Sequence, residues 1–331
     1  MAAQERELRD ALAKLEPKIR RAFEEAIARA ALSVSQAELA ALIKARQIED
    51  AVQLLRLDQS LFWPLHEAIR GGYVIGGNLG GKIAPRGLSG WFGFNGRHPR
   101  AEAWVQENGA QLIQGITEEG GESTRRVIAS GLAEGRSSLA VAREITGKKV
   151  GKRRVGGYLG LTSQQAESIL SGRSKLASGN PDLMRAYLQL KLRDKRFDGS
   201  ILKAIREGRA INGKQLDRIM EAHRSRALGY RGKVIAKHQA RQALAAGREE
   251  GIEQLRDNPE VETITARWQH NRSLEPRLDH QAMHGTVIEA GQHFEFPDGT
   301  RMRRPHDEGA PARHTIGCNC MVIYRVRLRR D

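Results

Sequence analysis

The sequence predicts a mainly α protein, an elongated multi-helix carrier that ends in a small C-terminal α+β module. Three observations lead there. Apolar residues recur at helical spacing from the N-terminus to about residue 255. Aromatic residues are only 5% of the 331 positions, too few for a β-sandwich when Ala, Leu, Glu and Arg are so frequent. The stretch Trp268–Tyr324 then breaks the pattern: it is rich in turn residues and carries both cysteines and six of the ten histidines. This gives four regions: 1–70 helical, 71–99 a Gly-rich loop, 100–260 a central helical domain and 261–331 the α+β module.

The opening region places Leu8, Leu12, Leu15, Ile19, Phe23 and Ile27 three or four apart, the stripe of an amphipathic helix. Pro17 inside it predicts a kink or two shorter helices. Ser35-x-x-Glu38 reads as a capping box opening a second helix. A third covers Glu49 to Leu57, and the pattern runs on from Gln59 to Arg70. Residues 71–99 are glycine-rich and are read as a loop that orders against a partner. Gly76-x-x-x-x-Gly81-Lys82 within it is close to a phosphate-binding loop, but Ile83 stands where Ser or Thr would hold magnesium. No acidic second motif follows, which argues against an NTPase.

Helices are expected next over Arg100–Ile116 and Ser123–Leu132, with Gly120–Gly121 between them, then over Ser138–Ile145, closed by Gly147. Lys148–Gly160 forms a basic hinge, read equally as a solvated linker or a phosphate-contacting strip. Thr162-x-x-Gln165 is a second capping box. Further helical segments cover Pro181–Leu192, Ile201–Glu207, Gly213–Ala227 and Arg231–Leu255, the last ended by Asp257–Asn258–Pro259. Ile201–Arg224 is compatible with a helix-turn-helix, although helix pairs with a glycine turn are common and do not specify one.

In the final module, Leu278–His284 reads as a short helix closed by Gly285, which would set His280 and His284 on one face. Thr286–Ile288, Phe294–Phe296 and Met321–Tyr324 are β-prone, and Pro297–Asp298–Gly299–Thr300 is a turn. The order Asp279-His280-x-Ala282-Met283-His284-Gly285, a phenylalanine strand, Pro297-Asp298-Gly299, a Pro/His-rich loop and Gly317-Cys318-Asn319-Cys320 resembles the C-terminal module of phage Mu F-like minor head proteins, also called phage head morphogenesis proteins. Two positions depart from that pattern: Asn319 where Arg is usual, and His284 where Asp is frequent. Gly160-Leu161-Thr162-x-x-Gln165, Tyr187–Asp198 and Tyr230–Ala236 also resemble the region that precedes the module in this family. The resemblance spans roughly residues 97–324.

Charge and cysteine usage bound the function. A formal net charge of +16 and a pI near 10.3 imply an anionic partner, nucleic acid first among them, or an assembly partner of opposite sign. Cys318 and Cys320 lie too close in sequence for an unstrained disulfide, so a reduced, intracellular chain is expected. No apolar run reaches the length of a membrane span, and the charged N-terminus does not read as a signal peptide.

Cys318, Cys320, His280 and His284 are the candidate metal ligands, with zinc the one cofactor considered, since thiolates and imidazoles are its usual donors. His306 and His314 are loop-borne substitutes. The other reading, small buried cysteines beside capping or surface histidines, stays open. Lys148, Lys149, Lys152, Arg153 and Arg154 in the hinge, and Arg325, Arg327, Arg329 and Arg330 in the tail, are the candidate nucleic-acid contacts. No catalytic residues are expected, because Asp279, Asp298 and Asp307 each suit a cap or turn. The resemblance implies a non-enzymatic assembly protein that associates with portal and capsid or scaffold proteins during procapsid assembly. It would reside in the virion head, after the host cytoplasm, and contact packaged double-stranded DNA nonspecifically. The alternative is a metal-dependent nuclease or toxin-type enzyme carried by the phage; no sequence after Asp331 is expected to supply a toxin domain.

Overall fold

The computed structural model describes residues 2–55, 57–85, 88, 92–271 and 276–329. It is mainly α, with a small C-terminal α+β region, as expected. The first helix, α1 (Ala2–Ser33), runs through Pro17 without a break. Proline inside a helix costs about 3 kcal/mol. Buried Leu15, Ile19, Phe23 and Ile27 each return about 1.5–3 kcal/mol, which is enough to keep the helix whole. Next come α2 (Gln36–Lys44) and α3 (Ile48–Leu54), with the Ser35 hydroxyl capping the Glu38 N–H. A short 3-10 turn leads into α4 (Trp63–Gly81).

The chain continues through α5 (Pro99–Ala133), α6 (Ser138–Thr146), a hairpin of β1 (Lys148–Val150) and β2 (Arg153–Val155), α7 (Ser163–Ala177), α8 (Pro181–Tyr187), α9 (Asp198–Arg206) and α10 (Gly213–Arg256). Both arms of the Thr162/Gln165 capping box form. The two helices expected on each side of Gly120–Gly121 are the single helix α5, and the two expected within 213–255 are the single helix α10. An interior glycine costs a helix only about 1 kcal/mol, and packing of a long helix outweighs that.

The chain divides into two compact units, each assembled from discontinuous segments. One comprises Met1–Arg21, Leu65–Gly109 and Lys233–Asp331; the other Ala22–Pro64 and Ala110–Gly232. The divisions fall inside α1, α4, α5 and α10, where a sequence reader finds no linker. The contiguous regions expected from composition therefore do not coincide with these units.

In the first unit, the reading of 71–99 as a Gly-rich loop is corrected for 71–81, which are helical; 82–85, 88 and 92–98 are irregular, and 86, 87 and 89–91 lie outside the described residues. Gly72, Gly76 and Gly80 recur every four residues along α4 and face α10. A Cβ built on Gly76 would lie 2.3 Å from the Leu244 carbonyl oxygen, and one on Gly80 2.6 Å from that of Arg248. From the other side, a Cβ on Gly247 would lie 1.9 Å from the Tyr73 carbonyl oxygen. The glycines let two helix backbones touch. Phe94 then covers Gly77, and Phe92 covers Gly81, so the aromatics of this stretch seal its own glycines. The phosphate-loop-like Gly76–Gly81 is helical and forms no loop to hold a phosphate.

The C-terminal part of this unit is built on β3 (Val261–Gln269), a strand the sequence reading missed. It is the centre of an antiparallel sheet ordered β4-β3-β7, with β4 (Val287–Glu289) and β7 (Met321–Leu328) beside it. A separate hairpin pairs β5 (Phe294–Glu295) with β6 (Arg301–Met302) across the turn at Gly299. Two short helices, α11 (Leu278–Ala282) and α12 (Ala312–Thr315), complete it. Trp268, Phe294, Met302, Ile264 and Val322 form its core with Ile252 and Leu255 of α10.

Candidate metal centre

The loop that delivers Cys318 and Cys320 begins at Gly317, whose positive φ of 75° suits glycine. Below that turn the Cys320 N–H donates to the Cys318 sulfur at 3.3 Å, which folds the loop back on itself. Asn271 Nδ2 ties the intervening residue down by donating to the Asn319 carbonyl at 2.8 Å. Both sulfurs thereby face one imidazole nitrogen, His280 Nδ1, each at 3.5 Å. The three residues are buried and their donor atoms lie within 4.8 Å of one another.

Behind this trio stands a chain of polar contacts that fixes the imidazole. His314 stacks on His280 with ring centroids 5.3 Å apart and planes 9° from parallel. His280 Nε2 lies 3.1 Å from His314 Nδ1, and His314 Nε2 lies 2.8 Å from Asp298 Oδ2. The hydrogen bond from Arg313, then the Thr300 backbone N–H, then His314 hold the Asp298 carboxyl well below the usual carboxylate range. An ionised Asp298 accepts from His314 Nε2–H. A neutral His314 then offers the Nδ1 lone pair to His280 Nε2–H, and His280 is left with the lone pair of Nδ1 aimed at the sulfurs. This assignment follows hydrogen-bond geometry. Asp279 Oδ2 also approaches His314 Nδ1, but at 3.4 Å, so the shorter Asp298 contact is the better anchor. Trp268 and Phe296 wall the imidazole with edge-on and tilted contacts at 5.8 and 5.2 Å.

The two thiols share their acidity. The Cys320 thiol donates toward Cys318, which moves the Cys318 thiol well below its ordinary value. The same contact and burial push the Cys320 thiol up. Both cysteines are free.

The donor set suits zinc. Tetrahedral zinc with Zn–S of about 2.3 Å and Zn–N of about 2.0 Å places sulfur and nitrogen about 3.5 Å apart, the separation seen for both cysteines. The imidazole–imidazole–carboxylate chain is the kind of support that metal-bound histidines receive from their surroundings. Cys320 also borders a cavity of about 260 Å³ whose wall includes His306, Arg248 and Tyr324.

Of the expected ligands, His284 does not join the cluster. α11 is little more than one turn, Gly285 leaves it with a φ of 90°, and His284 falls past its end instead of one turn along the face of His280. Its exposed ring accepts from the His270 N–H at 3.2 Å. His306 is buried elsewhere, against His238. His314 supports His280 from behind. The part played by Asp298 and Thr300 had no signal in the sequence beyond a turn motif.

The basic candidates fall into two separate groups. Lys148, Lys149, Lys152, Arg153 and Arg154 sit on the β1–β2 hairpin of the second unit. All are exposed except Arg154, which is half-buried and donates to the Gly147 carbonyl. Arg153 reaches Glu25 at 3.5 Å. Arg325, Arg327 and Arg329 project outward from β7 and the residue after it in the first unit, with Arg327 paired to Glu262 at 3.0 Å. Arg330 lies outside the described residues.

No family model, curated protein or solved structure matches this chain. Among the described residues no single helix is long and apolar enough to cross a membrane.

Proposed function

We propose that this chain is a minor head, or head morphogenesis, protein of a tailed phage or prophage, associating with portal and capsid proteins during procapsid assembly and contacting packaged DNA. The observation that supports it best is where the family-like residues sit. His280, the Pro297–Thr300 turn and the Cys318–Cys320 pair are scattered over some forty residues, yet they meet in one buried cluster. Such a cluster suits a structural clamp within an assembly protein better than an open active site, because its sulfurs and imidazole are packed under Trp268 and Phe296. Mass spectrometry of gradient-purified heads, treated with nuclease and protease before opening, tests the reading. A few copies inside each head are expected. Absence from heads with abundance in the lysate would overturn it and favour the nuclease or toxin-type enzyme.

Within the same proposal, His280 Nδ1, Cys318 Sγ and Cys320 Sγ hold zinc, with His314 and Asp298 orienting His280. Bound zinc would supply a crosslink between α11 and the start of β7. Metal analysis of the purified chain should find one zinc per chain, reduced to background in Cys318→Ser with Cys320→Ser. Equal zinc in parent and variant would remove these residues as ligands.

A further inference from the structure

The second unit holds a cleft of about 600 Å³ whose charge is not balanced. Seven basic side chains line it against three carboxylates. Two of those carboxylates are occupied: Glu144 by Arg136 and Arg173, and Asp217 by Arg173. Arg143, Lys148, Lys149, Arg154 and Arg224 have no carboxylate partner among the described residues, and Glu221 alone remains to face them.

Arg224, on α10, is the informative member. It is only 5% exposed, and buried guanidinium groups are ordinarily paired. Its Nε donates to the Gly156 carbonyl at 2.5 Å, and its carbon lies 5.0 Å from the centre of the Tyr158 ring. Those contacts aim the fork but leave Nη1 with no hydrogen-bond partner. Arg154 Nε is likewise unpartnered. Ser137, the N-cap of α6, and Ala140 in its first turn line the same cleft, so the positive end of a helix adds to the field; the Ala140 N–H itself is taken by the Ser137 hydroxyl. Arg224 thus lies buried with Nη1 unpartnered, beside four further cations that have no carboxylate partner among the described residues.

We propose that this cleft binds a phosphate group, with Arg224 as its floor and Arg143, Lys148, Lys149 and Arg154 as its rim. Guanidinium forks match phosphate oxygens in geometry as well as charge. The phosphate can belong to a nucleic-acid backbone or to a free phosphate compound. The site deepens the DNA contact proposed above and rests on that reading only for the source of its phosphate. It also differs from a plain basic strip: Lys152 and Arg153, at the hairpin turn, lie outside it.

The test uses the full chain, with pyrophosphate followed by calorimetry and a short labelled duplex followed by anisotropy over a salt series. Arg143→Gln with Lys149→Gln should weaken binding at least tenfold. For the duplex it should also lower the slope of log K against log salt by about 2, two phosphate contacts at about 0.9 each. Arg224→Lys, which keeps the charge but loses the fork, should weaken binding severalfold with an unchanged melting temperature; the rim pair carries the test should that variant misfold. Lys152→Gln with Arg153→Gln should change affinity less than twofold. Duplex binding that the rim pair weakens, with no binding of pyrophosphate, assigns the cleft to nucleic acid, and pyrophosphate binding without duplex binding assigns it to a free phosphate compound. Failure to bind either, or equal losses from the rim pair and the Lys152/Arg153 pair, overturns the site. Neither result alters whether the protein is found in heads.

Discussion

Replacing Gly247 by alanine sets helix propensity against packing, and the structure says which wins. Alanine in place of an interior helical glycine ordinarily stabilises by about 1 kcal/mol. Here the new Cβ would lie 1.9 Å from the Tyr73 carbonyl oxygen. The shortest ordinary carbon–oxygen approach is about 3.3 Å, so α4 and α10 must part by about 1.4 Å. The obstructing atom is backbone and cannot rotate away. The contacts at Gly76, Gly80 and Gly251, each with a carbonyl 2.3–2.6 Å from a would-be Cβ, loosen with it. Overpacking of this kind costs about 1–3 kcal/mol, and a rigid obstacle belongs at or above the upper end. A net loss of about 2 kcal/mol follows, seen as a melting temperature roughly 3 °C below the parent. Gly71→Ala is the control: the site is exposed on α4, the helix that Gly247 packs against, and a Cβ there meets nothing within 4 Å. It should gain up to about 1 kcal/mol. A Gly247→Ala protein as stable as Gly71→Ala would refute the backbone contact between the helices.

The metal centre and the titrating core give three further expectations. Asp298→Asn and His314→Gln should each lower zinc affinity about 10–100-fold without removing a ligand, and the double variant should lose little more than either one; additive losses in competition against a chelator would disprove the relay. Stripping zinc with a chelator should lower the melting temperature of the parent but leave Cys318→Ser with Cys320→Ser unmoved, whereas equal shifts would place the metal elsewhere. Burial, then Arg224 and Arg226, push His223 down to about 4 from its usual 6.5. With the folded value below the unfolded one, the unfolded chain takes up the proton first, so stability falls as pH drops from about 6.5 to about 4, by up to about 3 kcal/mol. Urea midpoints at both ends of that window should show a smaller acid loss in His223→Gln; an identical loss would exclude His223 as a source.

What could be read without the structure is what neighbours in sequence decide. The Thr162/Gln165 box, the Gly147 and Gly285 stops and the Pro297–Thr300 turn depend on atoms a few residues apart, and each forms as its residues indicate, while of the Ser35/Glu38 box the Ser35 arm forms. The α+β character of the last seventy residues was legible in the same way. Val261–Gln269 was not, although Ile264, Ala266 and Trp268 alternate inward: the sequence reading closed the preceding helix at Asp257–Asn258–Pro259 and assigned no element to the stretch after it. Glycine misled most. At 72, 76 and 80 it looked like loop composition, whereas its purpose is a surface on which α10 can rest.

The site divides along the same line. The two cysteines and His280 were identifiable by chemistry, since few other side chains bind soft metals. Which histidine meets them was not, because an i,i+4 face requires a helix longer than α11 proves to be. His314 and Asp298 joined through the pairing of β5 with β6 and the stacking of one ring on another, contacts that span 34 residues between the histidines. The cationic cleft likewise gathers α6, a hairpin and α10. By itself the sequence determined the helices, caps, turns, charge and ligand chemistry, which short-range backbone sterics and side-chain type decide. Only the tertiary structure decided which glycines are interfaces, which imidazole faces the sulfurs and which arginine is buried unpaired, because each depends on burial and on distances between residues far apart in the chain.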